Sequence, residues 1–133
     1  HEEPLVVAAP ISAAGRTDRD LLRTLPFVRF NRRTGVGRVI DTALRQRRIV
    51  VSEAMELDSI EAILAMVARG LGVAVAPAGS ITEALRGTVR TVPFGTPPVV
   101  RRVALIERER ADIAPTTALL LEELRAGGGQ DHP

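Results

Sequence analysis

The sequence has no cysteine, lysine, tyrosine or tryptophan, and each absence excludes a class of site. Without cysteine there is no thiolate metal site, thiol nucleophile or disulfide, which fits a reducing compartment. The aromatic residues are three phenylalanines, too few for a platform that stacks single-stranded nucleic acid. The only histidines are His1 and His132 at the extreme ends, so a catalytic triad with a histidine base fails. We therefore assign no catalytic residue.

The charge is nearly balanced although the isoelectric point is high. The chain has 18 basic residues, all arginine, and 16 acidic ones, for a formal net charge of +2. Because lysine, tyrosine and cysteine are missing, almost nothing titrates between neutrality and the pKa of arginine, and this alone raises the isoelectric point. The arginines are mostly interleaved with acids, as in RTDRD, which is typical of a solvated surface. No basic stripe for nucleic acid stands out.

Metal, cofactor and membrane sites also find no support in the sequence. There is no histidine cluster and no calcium-loop motif, so we expect no metal ion and no cofactor. No uncharged run approaches the roughly 20 residues that span a bilayer, so we expect no membrane contact. The lack of cysteine makes a cytoplasmic location our expectation. The chain has 133 residues, 45% of them apolar, which suffices for the core of one domain.

Residues 57–77, LDSIEAILAMVARGLGVAVAP, carry the clearest structural signal. Asp58 and Glu61 are spaced as a capping box and predict a helix that begins near Asp58. An apolar stripe at helical spacing follows, formed by Ile60, Ile63, Leu64, Val67 and Leu71. Gly70 and Gly72 end the helix, and the unbroken apolar run GVAVAP predicts a strand covered on both faces. The stretch is thus a helix, a tight turn and a buried strand.

The other segments alternate between strand and helix. The predicted strands are 5–9, 27–30, 49–51, 89–94 and 99–106. The predicted helices are a short one capped by Thr17 or Asp18 and ending near Leu25, an amphipathic one over 36–48, a short one over 78–87 capped by Ser80, and a last one over 116–125. Loops are expected at 52–57 and 107–115. This order predicts an α/β fold with a parallel or mixed sheet flanked by helices.

The segment VARGLGVAVAP, preceded by a polar cap and a helix, resembles one in the effector-binding domain of LysR-type transcriptional regulators, V-x-x-G-x-G-h-x-x-x-P with h apolar. EEPLVVAAP resembles the strand that crosses into the second lobe of that domain. LPFVRF with GVGRVIDTALRQR, and VPFGTPPVV with the segments after it, extend the resemblance over nearly the whole chain. The resemblance implies a periplasmic-binding-protein-like (type 2) fold.

That fold has two lobes hinged by two crossing strands, and the chain resembles only part of it. The implied effector-binding domain covers residues 1–126, with a tail at 127–133. Residues 5–106 would be mainly the second lobe with the crossing strands, and residues 107–126 would contain the closing helix of the first lobe. The opening half of the first lobe is not in this sequence, which would leave the apolar face of the last helix short of a partner.

The candidate binding residues follow two of the predicted strands. In a parallel sheet, the loop at 31–34 and the helix start at 58–60 would both lie at the carboxyl edge, where ligands bind. The candidate effector-binding residues are Asn31, Arg32, Arg33, Thr34, Asp58, Ser59 and Ile60. Their amide, guanidinium and hydroxyl groups suit an anionic or polar small molecule, although Asp58 disfavours a carboxylate at its own position.

Each candidate residue also has a purely structural interpretation. Thr34 can simply cap the following helix, Ser59 can lie unused beside its cap Asp58, and the arginines can be solvated. The G-x-G sequences at 35–37 and 70–72 complete no nucleotide motif, although the amides of the first could meet an anion. In the LysR-type family the effector touches the loop after this strand and the start of this helix, so the resemblance implies the same positions here.

The resemblance implies a regulatory domain that senses a small-molecule effector and binds DNA only through an absent N-terminal helix-turn-helix domain. It also implies self-association as a homodimer or tetramer, in which the helix at 36–48 could take part. The alternative is an exported solute-binding protein of the same fold; an enzyme that borrows the fold would need a base absent here. Arg101 and Arg102, in the returning strand, are expected at an exposed edge, with a ligand or interlobe contact as the alternative.

Overall fold

The computed structural model describes residues 1–104 and 115–127. The described strands are β1 (Glu2–Pro10), β2 (Pro26–Phe30), β3 (Ser52–Leu57), β4 (Ala74–Pro77), β5 (Val89–Pro93) and β6 (Val100–Arg102). The described α-helices are α1 (Asp18–Thr24), α2 (Gly35–Gln46), α3 (Ile60–Ala68) and α4 (Pro115–Gly127). Two short 3-10 turns, Ala78–Ser80 and Glu83–Leu85, lie between β4 and β5. The predicted α/β alternation is confirmed.

The strands form a mixed sheet arrangement around β1. β1 pairs in antiparallel fashion with β4 and β5, and β6 also pairs with β1. β2 and β3 form a parallel pair in which Phe30 lies opposite Leu57. A parallel bridge between Phe27 and Val73 joins this pair to the segment that leads into β4. The carboxyl ends of β2, β3 and β4 therefore lie at one edge.

β1 and β4 separate two apolar clusters. Leu5 and Val7 of β1 pack with residues of α1 and α2, whereas Ala8 packs with α3. Because successive side chains of a strand point to opposite faces, the two clusters lie on the two faces of the sheet. All four residues of β4 are buried, as predicted for a strand covered on both sides. Helices α1 and α2 thus flank one face of the sheet, and α3 flanks the other.

The end of α3 follows the sequence prediction closely. The amide of Leu71 donates to the carbonyl of Met66 at 3.1 Å, and Gly70 takes a φ of 79°. This is the Schellman arrangement, in which a residue with positive φ satisfies the last helical carbonyls. Gly72 then allows close approach, since a β-carbon there would overlap the carbonyl oxygen of Pro26.

The predicted strand at 49–51 is wrong, because Ile49 completes the end of α2 and the next two residues only lead into β3. The amide of Ile49 donates to the carbonyl of Leu44 at 2.9 Å, and Arg48 takes a φ of 52°. Ile49 is only 5% exposed and belongs to the core, whereas Val50 is 82% exposed. The third strand is instead Ser52–Leu57, predicted as a loop because its half-exposed sequence SEAMEL has no apolar run.

The segment after β4 and the last strand also differ from the prediction. The expected helix at 78–87 is two 3-10 turns, and Ser80 caps neither of them. The Gly79 amide, in the first of these turns, donates to the Glu3 carboxylate at 3.0 Å. β6 is shorter than the predicted strand 99–106, whose last two residues lie outside the described part, as does most of the predicted loop at 107–115.

The described chain divides into two compact units. One is Glu3–Arg101, and the other contains His1–Glu2 and the described residues from Arg102 onward. The second unit contains α4, which confirms the predicted last helix and exposes Leu119, Leu120 and Leu124. The assignment of 5–106 and 107–126 to two lobes stays a prediction. Among the described helices, none is long and apolar enough to cross a membrane.

Candidate ligand-binding site

The two predicted ligand segments are neighbours at the carboxyl edge of β2 and β3. We call residues 31–34 the Asn31 loop and residues 58–60 the α3 start. The backbone amide of Asn31 donates to the carbonyl oxygen of Leu57 at 2.9 Å, which continues the parallel ladder by one bond. The side-chain amide of Asn31 donates to the carboxylate of Asp58. The edge thus brings the two segments into direct contact.

The Asn31 loop is held by its own hydrogen bonds. The Asn31 side-chain oxygen accepts from the Arg33 amide at 2.8 Å, and the Thr34 hydroxyl donates to the Asn31 carbonyl at 2.7 Å. The same hydroxyl accepts from the Gly37 amide at 3.0 Å, so Thr34 is the N-cap of α2. A β-carbon on Gly37 would overlap the Asn31 carbonyl oxygen. The loop therefore folds tightly onto the first turn of α2.

The α3 start differs from the predicted capping box. Its N-cap is Ser59, whose hydroxyl oxygen accepts from the Ala62 amide at 3.3 Å. The hydroxyl also donates to the Glu61 carboxylate at 2.7 Å, and this bond lowers the pKa of Glu61. The predictions of Asp58 as cap and of an unused Ser59 are wrong, because the Asp58 carboxylate is taken by Asn31. Ile60, the first residue of α3, is half-buried and packs against the apolar cluster that contains Ala8 and α3.

Arg32 belongs to a network of acids on α2 and β3. Its guanidinium lies 2.8 Å from Glu53, 2.9 Å from Glu56 and 3.7 Å from Asp41. The hydrogen bond that the Arg32 guanidinium donates to the Glu53 carboxylate is the largest cause of a raised pKa for Arg32. The backbone of Arg32 lies in the loop, but its charged group is already neutralised by neighbouring carboxylates.

Arg29 is the buried member of the same network. From the sequence we had predicted only that it lies in a strand. Its side chain is 6% exposed and lies 2.7 Å from Glu53 and 3.2 Å from Asp41. The guanidinium also sits over the Phe27 ring at 5.1 Å. Burial raises the pKa of Glu53, but hydrogen bonds from Arg29 and Arg32 outweigh burial, and the pKa falls below its usual value.

The charges that border the site are unevenly distributed. On the loop side, the Arg38 guanidinium donates to the Arg33 carbonyl at 3.3 Å, and within residues 1–104 and 115–127 neither arginine forms an ion pair. On the helix side, Asp58 and Glu61 likewise have no ion-pair partner in the described chain. Two arginines without an ion-pair partner in the described chain thus lie near the beginning of α2, and two such acids lie near the beginning of α3.

A third segment at the same edge was missed by sequence reasoning. Residues Ala78–Ser80 follow β4, whose carboxyl end lies beside those of β2 and β3. Glu3 holds this turn: one carboxylate oxygen accepts from the Gly79 amide at 3.0 Å and the other lies 2.6 Å from Arg101. Pro77, which ends the buried strand, was the available signal, since whatever follows a parallel strand shares its carboxyl edge.

The two arginines of β6 both form ion pairs with β1. Arg101 pairs with Glu3, and its side chain is 33% exposed. Arg102 pairs with Glu2 at 2.9 Å, and its side chain is 82% exposed. The expectation of edge exposure therefore holds for Arg102, while Arg101 makes a partly buried contact with the crossing strand.

A separate open cavity lies between β1, β5 and the 3-10 turns. Its volume is ≈ 440 Å³, and its lining includes Val6, Ile11, Ile81, Arg86, Val89 and Thr91. Most of these side chains are apolar, and Arg86 is paired with Glu83 at 3.1 Å. Arg90 also lines the cavity, and its guanidinium donates to the carbonyls of Ala13 and Gly15 at 2.8 Å and 2.6 Å. The polar groups of the Asn31 loop and the α3 start lie elsewhere, at the carboxyl edge of β2 and β3.

The sequence matches the family model of the LysR substrate binding domain over residues 1–129. The chain belongs to the LysR substrate-binding domain family. This family is one of transcriptional regulators rather than enzymes. The family match confirms the predicted periplasmic-binding-protein-like fold and the regulatory domain, and it does not favour the alternative of an exported solute-binding protein. No curated protein sequence matches the chain.

Solved structures of this family share the fold. The effector-binding domain of QuiR in complex with shikimate is 17% identical, with a TM-score of 0.76 over 97% of this chain and 63% of that one. The regulatory domain of Synechocystis CcmR in complex with 2-PG is 20% identical, with a TM-score of 0.72 over 98% and 65%. Vibrio fischeri DarR in complex with DNA is 18% identical, with a TM-score of 0.63 over 93% and 42%. The LysR domain described here thus spans less than two thirds of each.

Proposed function

We propose that this LysR substrate-binding domain binds a small polar molecule at the carboxyl edge of β2 and β3. The observation that carries the proposal is the contact between the Asn31 loop and the α3 start, through Leu57 and Asp58. Open α/β sheets bind their ligands at this edge. The residues proposed to form the site are Asn31, Arg32, Arg33, Thr34, Asp58, Ser59 and Ile60. Shikimate in QuiR and 2-PG in CcmR support a small-molecule ligand.

Binding at this site proceeds by exchange of hydrogen bonds. The side chains of Asn31, Thr34, Asp58 and Ser59 all have partners within the site. A ligand that replaces those partners with its own polar groups costs little, because one hydrogen bond is traded for another. A ligand without matching groups leaves them unsatisfied and binds poorly. Arg32 contributes its backbone and anchors the loop through its carboxylate partners.

The bound ligand regulates a longer protein in this proposal. A ligand that prefers one arrangement of that protein shifts its population toward that arrangement. The DNA complex of DarR supports control of DNA binding by a separate domain. The chain itself does not catalyse a reaction, acts in the cytoplasm and self-associates as a homodimer or tetramer. Membership of a family of transcriptional regulators supports these three proposals.

The test is titration calorimetry of the chain with a panel of small organic and aromatic acids, followed by two variants. Thr34→Ala and Ser59→Ala each remove a hydroxyl from the site, and we expect each to weaken binding by about three- to tenfold, the value of one hydrogen bond. Failure of the whole panel to bind, or unchanged affinity in both variants, would overturn the site.

Thr17→Ala is the matched control for the loss of a helix cap. Thr17 caps α1 by accepting from the Asp20 amide at 3.1 Å, just as Thr34 caps α2 and Ser59 caps α3. It lies after the carboxyl end of β1, which runs antiparallel to β4 and so ends at the opposite edge. We expect Thr17→Ala to lower the free energy of unfolding by about 1 kcal/mol, as the loss of the cap of α2 or α3 would, and to leave ligand affinity unchanged.

A further inference from the structure

The open cavity between β1, β5 and the 3-10 turns has the size of a small-molecule site. Its volume is ≈ 440 Å³, and ligand sites in proteins commonly measure about 300–1,000 Å³. Val89, one of its lining residues, belongs to the apolar cluster that contains Ala8 and is only 3% exposed, and Ile81 packs against the same cluster. The cavity therefore borders the hydrophobic core and is more than a gap among surface side chains.

The walls of the cavity are held by backbone hydrogen bonds. The Ile11 amide donates to the Thr88 carbonyl at 2.9 Å, which extends the ladder between β1 and β5 by one bond. Along the chain after β4, the Ile81 amide donates to the Ala78 carbonyl at 3.2 Å and closes the first 3-10 turn. A ligand that enters between preformed walls has little protein to order, and binding is stronger for that reason.

Ile11 adds an apolar surface that is open to water. Its side chain lines the cavity and is 56% exposed, whereas the neighbouring Val6 is half-buried. Covering apolar surface of this kind is the main favourable contribution to the binding of a small apolar group. The cavity thus favours a ligand with an apolar body.

The charged residues that line the cavity are both arginines. Arg86 and Arg90 are in the lining, and no acid is among the described residues that form it. Arg90 forms no ion pair in the described chain. Arg86 pairs with Glu83, but both side chains are exposed and such a pair contributes little. The lining therefore carries an excess of positive charge.

Arg90 keeps donors for a ligand although it also anchors a loop. Its hydrogen bonds to the carbonyls of Ala13 and Gly15 both come from Nη2. In the described chain the Nε and Nη1 groups have no protein acceptor, and a guanidinium binds a carboxylate best through two N–H groups. The charge and the donors both fit a carboxylate.

We propose that this cavity is a second ligand site of the domain and that it binds a small monocarboxylic acid with an apolar body. The carboxylate lies at Arg86 and Arg90, and the apolar body covers Ile11 and lies against Val89. The site is separate from the Asn31 loop and the α3 start, so this inference does not depend on the proposed function.

Four probes separate the contribution of the apolar body from that of the charge. Phenylacetate, phenylacetamide and phenethylamine share a ring and a chain of the same length but are negative, neutral and positive, and acetate has the charge without the ring. Each is titrated into the full chain and followed by calorimetry and amide NMR shifts. We expect phenylacetate to bind with a dissociation constant below about 1 mM and about tenfold or more tightly than the other three.

The positions of the NMR shifts and the order of affinities both test the site. We expect the largest amide shifts within residues 78–91 and at Ile11. Equal affinity of the three ring compounds, absence of phenylacetate binding, or shifts that avoid these residues would each overturn the inference.

Arg86→Met and Glu83→Gln remove the two partners of one exposed ion pair and should have different effects. Arg86 lines the cavity, whereas Glu83 does not. We expect Arg86→Met to weaken phenylacetate about threefold or more, since an exposed charge contributes modestly. Glu83→Gln should leave the affinity unchanged or raise it, because it releases Arg86. Equal weakening in both variants would contradict a contact between Arg86 and the carboxylate.

Arg90→Met tests the second arginine, with phenylacetamide as the internal control. Loss of the bonds to Ala13 and Gly15 alters the loop and affects both ring compounds, whereas loss of the charge affects phenylacetate alone. We expect the affinity ratio of phenylacetate to phenylacetamide to fall about threefold or more in Arg90→Met and to be largely restored in Arg90→Lys. An unchanged ratio in Arg90→Met would overturn the inference, and the Arg86 and Glu83 variants test it where Arg90→Met does not fold.

Thr34→Ala distinguishes this site from the one at the Asn31 loop. We expect this variant to leave both the affinity of phenylacetate and its shifts within residues 78–91 unchanged. Loss of those shifts in Thr34→Ala would mean that the acid binds at the Asn31 loop, which would overturn the second site and leave the proposed function in place.

Discussion

The first turn of α2 lies against the backbone of Asn31 so closely that Gly37 has no room for a side chain. A β-carbon at Gly37 would overlap the carbonyl oxygen of Asn31, the same oxygen that accepts the Thr34 hydroxyl. Gly35, two residues earlier, has no neighbouring atom within 4 Å of the position of its β-carbon. The shape of the Asn31 loop thus depends on one of the two glycines and not on the other.

This difference predicts opposite outcomes for two alanine substitutions. Gly37→Ala should lower the free energy of unfolding by about 1–3 kcal/mol, because either the loop or the helix must move, and should weaken ligand binding with it. Gly35→Ala should not lower stability, since its position is open and alanine favours helix. Urea unfolding followed by circular dichroism measures both, and equal losses in the two variants would contradict the close contact.

The ends of α2 and α3 predict a stabilising substitution. Arg48 holds the left-handed position after α2 that Gly70 holds after α3, with φ values of 52° and 79°. Arg48→Gly should raise the free energy of unfolding by about 0.5–1 kcal/mol, because a β-carbon is strained there. Gly70→Ala should lower it by about 1 kcal/mol, and purely through backbone strain, since the space around Gly70 is open. Thermal melts of both variants test the pair, and a loss of stability in Arg48→Gly would count against it.

Asp18 predicts a pH-dependent contribution to stability. Burial raises its pKa, but hydrogen bonds from Arg47 and the Gly95 amide outweigh burial, so the folded pKa is lower than the unfolded one. The contribution is therefore present above the unfolded pKa of about 3.9 and is lost as the pH falls through the folded pKa. Asp18→Asn should cost about 1–2 kcal/mol at pH 7 and progressively less below about pH 4.

Urea unfolding of both proteins between neutrality and acid pH measures this effect. Glu83→Gln is the control, because the pair of Glu83 with Arg86 is exposed and should contribute less than about 0.5 kcal/mol at any pH. A deficit in Asp18→Asn that stayed constant down to the lowest pH would mean that the carboxylate is not the stabilising group.

Replacement of the buried Arg29 should lower the free energy of unfolding. Arg29→Met leaves Glu53 and Asp41 without their most buried partner, and we expect a loss of about 2 kcal/mol, reduced from the value for fully buried pairs because both acids remain partly exposed. Arg45→Met is the control: its side chain is 74% exposed and it lies 3.5 Å from the same Asp41, so the loss should be within about 0.5 kcal/mol. Comparable losses in the two variants in urea unfolding would place the stabilisation at the surface.

Patterns that act over a few residues were predictable from the sequence. The apolar stripe of α3 from Ile60 to Val67, the glycine turn at Gly70 and the buried strand β4 were predicted correctly, because helix period, positive φ and an unbroken apolar run are local properties. The prediction of Leu71 as the last member of that stripe was wrong, because the helix ends before it and its side chain is exposed. The order of strands and helices was likewise sufficient for the α/β class. It also placed the Asn31 loop and the α3 start at one edge, since parallel strands put their carboxyl ends together.

Only the tertiary structure decided which of several locally equivalent roles each residue takes. Ile49 was predicted to begin a strand. It instead ends α2, where its amide donates to the carbonyl of Leu44 and its side chain is buried in the core. Asp58 and Ser59 could both cap α3, and the choice fell to Ser59 because Asn31, 27 residues away, engages Asp58. The hydrogen bonds of Glu3 and Arg29 likewise join residues far apart in the chain. Sequence periodicity carries local preference, whereas competition between distant polar partners is settled only when the strands have brought them together.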